Sequence, residues 1–179
     1  SEAKYTHPQM VEDVYALLAS QHFSRWHIIG HSLGARVATL LVARKRLMPD
    51  TFTIIDTGPE VRAVGVNKVR QDAENIPTEF SSITAFEHYL AGIYLFAQPE
   101  RIHAMAKHGL RADRAGRLIA KTDPAFTTAL WKPDSHHGNS DDLKYPLTDE
   151  LWQALANIRC PGLVLKGQAS AILARNVAE

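Results

Sequence analysis

An α/β architecture with a mostly parallel sheet is expected for this chain, on three observations. Trp26-His27-Ile28-Ile29 is a short apolar run that passes through Gly30 to Gly34 into an amphipathic segment, Leu33 to Arg46. A β-branched and aromatic run, Phe52 to Ile55, follows it closely, and strand, helix, strand at this spacing is a βαβ unit with parallel strands. A third run, Gly162-Leu163-Val164-Leu165, returns only after a long helical pattern, so a mainly helical insertion is expected ahead of it.

Each element has its own signal. Thr6-His7-Pro8-Gln9 reads as a helix start, with Thr6 as the cap, Gln9 placed to reach back to it, and Pro8 tolerated in the first turn. Val11, Val14, Tyr15, Leu17 and Leu18 then recur at helical spacing while Glu12, Asp13 and Gln21 take the other face, which predicts a helix lying on a flat surface. In the segment after Gly34, Ala35 and Ala38 permit close packing, Leu40 and Leu41 point inward, and Arg44, Lys45 and Arg46 occupy the last turn, where the helix dipole favours cations. Pro49-Asp50 marks its end, and Asp56-Thr57-Gly58-Pro59 ends the second strand.

Helical pieces are expected at Phe80 to Phe96, with Ile83, Phe86, Leu90, Ile93 and Tyr94 inward, and at Glu100 to Lys107, with Ile102, Met105 and Ala106 inward. A hairpin or loop pair turning near Gly116 is expected within Leu110 to Ala125, and Lys132 to Tyr145 is polar and rich in turn formers. A last helix, Thr148 to Ile158, carries the stripe Leu151, Leu155 and Ile158. The expected organisation is therefore a core at 1–59, a cap insertion at 60–147, and the core resumed at 148–179.

Composition narrows the function classes. The 179 residues are 45% hydrophobic and 22% charged, enough for one sizeable core. Twenty basic residues against nineteen acidic ones leave a formal charge of +1 with no long run of one sign, so neither nucleic acid nor an acidic membrane surface is an expected partner. No stretch approaches the ~18 apolar residues that span a bilayer, and Ser1-Glu2-Ala3-Lys4 lacks a signal-peptide core, so the expected location is the cytoplasm. The single cysteine, Cys160, cannot form an internal disulfide and reads as a small buried hydrophobe rather than a reactive thiol. Neither a dinucleotide nor a phosphate-binding glycine pattern occurs, and no cofactor is expected.

The chemistry gathers at Gly30-His31-Ser32-Leu33-Gly34. A G-x-S-x-G string between a buried strand and a helix is the setting of a nucleophile elbow, in which a strained turn lifts the serine hydroxyl above the sheet edge. The two glycines leave room for that backbone and for close passage of the helix. A serine needs a base, a carboxylate to orient the base, and N–H donors for the oxyanion. Ser32 is the candidate nucleophile, and the N–H of Leu33, which opens the helix, is the candidate first oxyanion donor.

These pieces resemble the α/β-hydrolases, specifically the capped enzymes with a serine nucleophile. The resemblance rests on Val14-Tyr15-Ala16-Leu17-Leu18, the elbow, Ile55 through Glu60, Gly116-Arg117-Leu118 through Asp123-Pro124, and Ile158 through Gly167, in family order. It implies a partial α/β-hydrolase fold: members are longer, with several strands and an oxyanion-hole loop before the elbow and the catalytic histidine one strand after the acid loop, so this chain resembles the central part. Two positions are open for the acid. The loop after the third strand reads Gly167-Gln168-Ala169-Ser170-Ala171-Ile172-Leu173 and has no carboxylate, with Ala171 where close relatives often carry aspartate. Asp56 is the other position, either as the acid or as a turn anchor.

Among the nine histidines, His31 is expected to shape a substrate pocket and His27 to be structural. His136 and His137 are part of a solvated polar loop, or reach the mouth of the site from the cap, or bind a metal with Asp134; the first is preferred, because adjacent histidines point apart and no third ligand with recognisable spacing follows, and no metal is expected. Phe86, Tyr89, Tyr94, Phe96 and Trp131 are expected to form the cap's own small core, and any of them facing the sheet would make an apolar pocket. The expected function is a serine hydrolase acting on a small, partly hydrophobic ester, lactone, amide or activated C–C bond. A non-catalytic binding protein of the same fold and acyl transfer to another acceptor are the alternatives. The expected partner is a small acyl substrate, and homo-oligomer formation is left open.

Overall fold

The computed structural model describes residues 5–123, 125–126 and 147–179. Among them, those within Ser1–Val69 and Ala129–Glu179 form one compact unit and those within Arg70–Thr128 a second.

The first unit is built on a three-stranded parallel sheet in the order β1 (His27–His31), β2 (Thr51–Ile55), β5 (Gly162–Leu165). The register aligns Gly30 with Ile54 and Ile54 with Val164. Alternation therefore puts Ile28, Gly30, Phe52, Ile54 and Val164 on one face and His27, Ile29, His31, Ile55, Leu163 and Leu165 on the other. Helix α2 (Leu33–Lys45) covers the first face: Ala35, Ala38 and Val42 pack on Phe52 and Ile54, with Ile28, Leu155, Ile158 and Cys160 at the margin. Its far side carries Val37, Leu40 and Leu41 against Val11 of α1 (His7–Ala19) and Leu151 of α6 (Thr148–Asn157). α2 is thus buried between the sheet and two helices, and eight consecutive residues from Ala35 to Val42 are buried. The opposite sheet face is uncovered among the described residues, with Ile29 69% exposed and Leu163 and Leu165 about half exposed.

Local chemistry sets the ends of these elements. Thr6 caps α1 by accepting from Gln9 N–H at 3.3 Å, but the Gln9 side chain donates forward to Asp13 Oδ1 at 2.9 Å, so the reciprocal half of the expected capping box is not made. Only Val11 of α1 is fully buried; Met10 and Leu18 pack partly, while Val14, Tyr15 and Leu17 stay exposed, contrary to the broad stripe expected. α2 stops where Arg46 turns left-handed (φ 51°), and the cations of its last turn find carboxylates: Arg44 makes a two-pronged pair with Glu150, and Lys45 reaches Glu12 at 2.7 Å. Asp50 begins β2 by accepting from Trp26 N–H at 2.9 Å, the first cause of its carboxyl lying below the ordinary range. His27 is structural as expected, sharing a 2.8 Å hydrogen bond with Thr51.

Helix α3 (Ala63–Glu74) contains the boundary between the two units. The second unit holds α4 (Ile83–Ile93), α5 (Pro99–Gly109) and the antiparallel pair β3 (Leu110–Ala112) and β4 (Leu118–Ala120). α4 is shorter than the expected Phe80 to Phe96 for two reasons. Ser82 caps it by accepting from Ala85 N–H, and Phe80 is taken into a β-bridge with Leu118 instead. Its core is Phe80, Phe86, Leu90, Ile102, Ala106 and Leu110, with Tyr89 alongside; Phe80 and Phe86 meet at 4.5 Å between ring centres. Ile83, Tyr94, Phe96 and Met105, expected inside, are exposed, Phe96 by 90%. The expected hairpin forms, turned by Gly116 (φ 80°) and by Asp113, whose carboxylate accepts from the N–H groups of Ala115 and Arg117. The chain ends in the short helix α7 (Arg175–Ala178). Trp131, Asp134, His136 and His137 lie outside the described residues. No helix among the described residues is long and apolar enough to cross a membrane.

Candidate active site

β1 ends at His31, and the next residue holds a conformation L-amino acids seldom adopt: Ser32 has φ 50° and ψ −124°. Such a turn costs about 1–3 kcal/mol and persists only where its surroundings over-determine it. Here they do. Ser32 N–H donates to Ile55 O at 3.0 Å, extending the ladder of β1 and β2 by one rung, and Ser32 C=O accepts from Ala35 N–H at 3.0 Å and Arg36 N–H at 3.3 Å. Serine at a helix start normally spends its hydroxyl on capping; this one makes no side-chain cap bond and stands exposed. The N–H of Leu33, the first of α2, has no acceptor among the described residues and lies at the positive end of the helix dipole.

The two glycines of the motif differ. A Cβ on Gly30 would lie 2.4 Å from Ala35 Cα and 2.7 Å from Ala35 N, so the strand and the first turn of α2 approach as closely as only glycine permits. A Cβ on Gly34 would meet nothing within 4 Å, and the expected steric need for a second glycine is not found among the described residues.

Asp56 directly follows β2, as Ser32 follows β1, and it too is left-handed, with φ 53°. Asp tolerates that region better than most residues. Its N–H donates to Leu165 O at 2.8 Å, and its Oδ1 accepts from Gly167 N–H at 3.0 Å. The carboxylate therefore ties the end of β2 to the end of β5, which is the anchoring alternative; among the described residues no histidine hydrogen-bonds to Asp56 or Ser32. His31 projects to the uncovered sheet face in the row of Ile55 and Leu165. The loop after β5 is folded on itself, Ser170 Oγ accepting from Ile172 and Leu173 N–H groups at 3.1 Å each. Gly65 of α3 seats against Ala171 so closely that a Cβ there would stand 2.2 Å from its carbonyl oxygen.

One side chain beside Ser32 escaped the sequence reading. Arg36, one turn into α2, is only 9% exposed, and its Nη1 donates to Gly58 O at 3.0 Å and Pro59 O at 3.3 Å. The available signal was a lone charge within the apolar and small run from Leu33 to Val42. Pro59 O also accepts from the Thr148 hydroxyl at 3.3 Å. His7 is held neutral nearby, its pKa lowered to about 4, first by burial and then by the charges of Arg36 and Arg44. An apolar groove of about 680 Å³ borders β1 and the start of α2, between Met10, Val14, Phe23, Trp26, Ile29 and Leu33. Among the described residues no cluster of three or more metal-ligating side chains occurs.

The sequence matches no family model and no curated protein. The fold has close counterparts among solved structures. An α/β hydrolase from Novosphingobium aromaticivorans superposes with a TM-score of 0.76 at 25% identity, over 99% of this chain and 61% of that one. A hydrolase so described from Rickettsia typhi gives 0.77 at 19% identity, over 97% of this chain and 56% of its own. E-2-(acetamidomethylene)succinate hydrolase gives 0.67 at 19% identity, over 93% of this chain and 68% of that protein. The chain thus spans about three-fifths of the first two structures it resembles.

Proposed function

We propose that this chain, which has the α/β-hydrolase fold, carries the nucleophile of a serine hydrolase. The observation that supports this most is the backbone of Ser32: a strained turn, fixed at both ends by hydrogen bonds to β2 and α2, that leaves the hydroxyl uncommitted. In this reading Ser32 Oγ attacks the carbonyl carbon of a small, partly hydrophobic ester, lactone or amide, or the carbonyl carbon of an activated C–C bond, as its proton passes to a histidine base. The oxyanion is met by Leu33 N–H, and collapse expels the leaving group with the proton from the base. Water, deprotonated by the same base, then opens the acyl-enzyme. Asp56 is proposed to orient the base through the oxygen not bonded to Gly167, His31 to shape the substrate site, and residues 60–147 to be the cap insertion. The naming of similar structures as hydrolases supports the reaction class.

A fluorophosphonate tests this in the intact protein. The expected result is phosphonylation of Ser32 with release of fluoride, abolished in Ser32→Ala. A folded wild-type protein that is not labelled would refute it. The engagement of Asp56 Oδ1 by Gly167 favours a second reading, a non-catalytic binding protein of this fold. That reading is supported by a carboxylic ester that raises the melting temperature and is not turned over.

A further inference from the structure

We propose that Arg36 is a positioning residue for the chemistry of Ser32, acting as a strut between the first turn of α2 and the loop that follows Asp56; this rests on the hydrolase reading above. The strut has two ends. On the helix side, Arg36 N–H donates to Ser32 C=O, so its backbone belongs to the turn that fixes the nucleophile. On the loop side, Nη1 bridges the carbonyls of Gly58 and Pro59, two and three residues after Asp56. One side chain thus spans from the serine's own hydrogen-bonded turn to the segment that ends at the proposed acid.

Burial makes the choice of residue informative. Withdrawing a guanidinium from water is costly, and an apolar side chain filling the same space would be at least as favourable for stability alone. What the guanidinium adds is a rigid plane in which one nitrogen, Nη1, donates to two successive carbonyls, a fixed geometry that an apolar side chain cannot offer and that the shorter, freely rotating ammonium of lysine does not hold. The loop it holds is tight on every side. Thr57, Gly58 and Pro59 are buried, Thr148 donates to the same Pro59 carbonyl from α6, and a Cβ on Gly58 would come to 3.0 Å from Val177. Without the strut, the direct tie from α2 to the carbonyls of Gly58 and Pro59 is lost, and the elbow gains freedom to shift. Displacements on the order of 1 Å at a reacting group lower turnover by up to about a hundredfold.

The test compares two variants in the intact protein. Arg36→Lys keeps the charge and loses the planar, full-length reach of Nη1 to both carbonyls; Thr148→Val removes a donor to Pro59 O from α6 while leaving the α2 link. Arg36→Lys is expected to slow fluorophosphonate acylation of Ser32 about tenfold, and to lower kcat on an ester by the same factor with KM within twofold. Thr148→Val is expected to lower Tm by a similar amount yet acylate within twofold of wild type. Arg36→Lys labelling at the wild-type rate, or Thr148→Val slowing it equally, overturns the proposal while leaving the hydrolase reading intact. No labelling of the wild type overturns the hydrolase reading, and the strut's part in it falls too. Hydrogen exchange in the wild type needs no variant. Thr57 and Gly58 amides are expected to open together with those of Ala35 and Arg36, and independent, fast exchange at Thr57 and Gly58 overturns the strut.

Discussion

Replacing each glycine of the elbow by alanine gives opposite outcomes, and the structure supplies the magnitudes. In Gly30→Ala the new methyl would sit 2.4 Å from Ala35 Cα, 2.7 Å from Ala35 N and 2.9 Å from Gly34 O. Carbon atoms rest about 3.5–4.0 Å apart, so the first contact is more than 1 Å too short. All three atoms are backbone, and no rotamer change relieves them. The start of α2 must lift away from β1, against the packing of Ala35, Ala38 and Val42 on Phe52 and Ile54. Overpacking of this kind costs about 3 kcal/mol, well beyond the roughly 0.5–1 kcal/mol that alanine regains over glycine in backbone entropy. Gly34→Ala meets no atom within 4 Å and keeps only the gain, about 0.5 kcal/mol of stabilisation. Urea unfolding followed by circular dichroism measures both. With a slope of about 2 kcal/mol per molar, Gly30→Ala is expected to lower the midpoint by about 1 M or more, and Gly34→Ala to leave it unchanged or slightly raised. Because the forced movement carries Ser32 and Leu33 with it, fluorophosphonate labelling should fall in the first variant only. A Gly30→Ala protein within about 0.5 kcal/mol of wild type would refute the close approach on which this account depends.

Other outcomes follow from burial and charge. Leu40→Ala, at a fully buried position shared with Val11, Val37, Leu41 and Leu151, is expected to cost about 3 kcal/mol in the same unfolding assay. Lowering the pH should expose His7: its folded pKa of about 4 lies below the ordinary 6.5, so the unfolded chain binds the extra proton between those values. The neutral histidine's contribution is complete above about pH 6.5 and is lost as pH falls toward 4, and His7→Phe should flatten the stability profile over that window. An unchanged profile in that variant would show that other groups set the acid limb.

The sheet was legible because β1, β2 and β5 are short apolar runs with turn residues at their ends, and the elbow because glycine and serine stand between strand and helix signals. Helix ends near Phe80 and Phe96 were not. Phe80 suits a helix stripe and a β-bridge equally by composition, and only its pairing with Leu118, far away in sequence, decides between them. Exposure was misread for Val14, Leu17 and Phe96, since periodicity reports which residues share a face and says nothing of what covers it. Ser32 and Leu33 could be located from order alone. The tie from Asp56 to Gly167 joins residues 111 positions apart and has no local signature, and Arg36 hid because basic residues are ordinarily assigned to the surface.

The rung from Ser32 N–H to Ile55 O makes the peptide of Ser32 a member of the sheet rather than of a loop perched on it. Its coordinates are then set by strand registry. A slip of one residue between β1 and β2 would carry the hydroxyl about 3.3 Å along the strand and turn every side chain of β1 over. Loops not tied to the elbow can change without moving this atom, whereas one inserted residue inside β2 would displace it outright. Tolerance to insertion should therefore be as low in the plain β-branched run Thr51–Ile55 as at the elbow beside it.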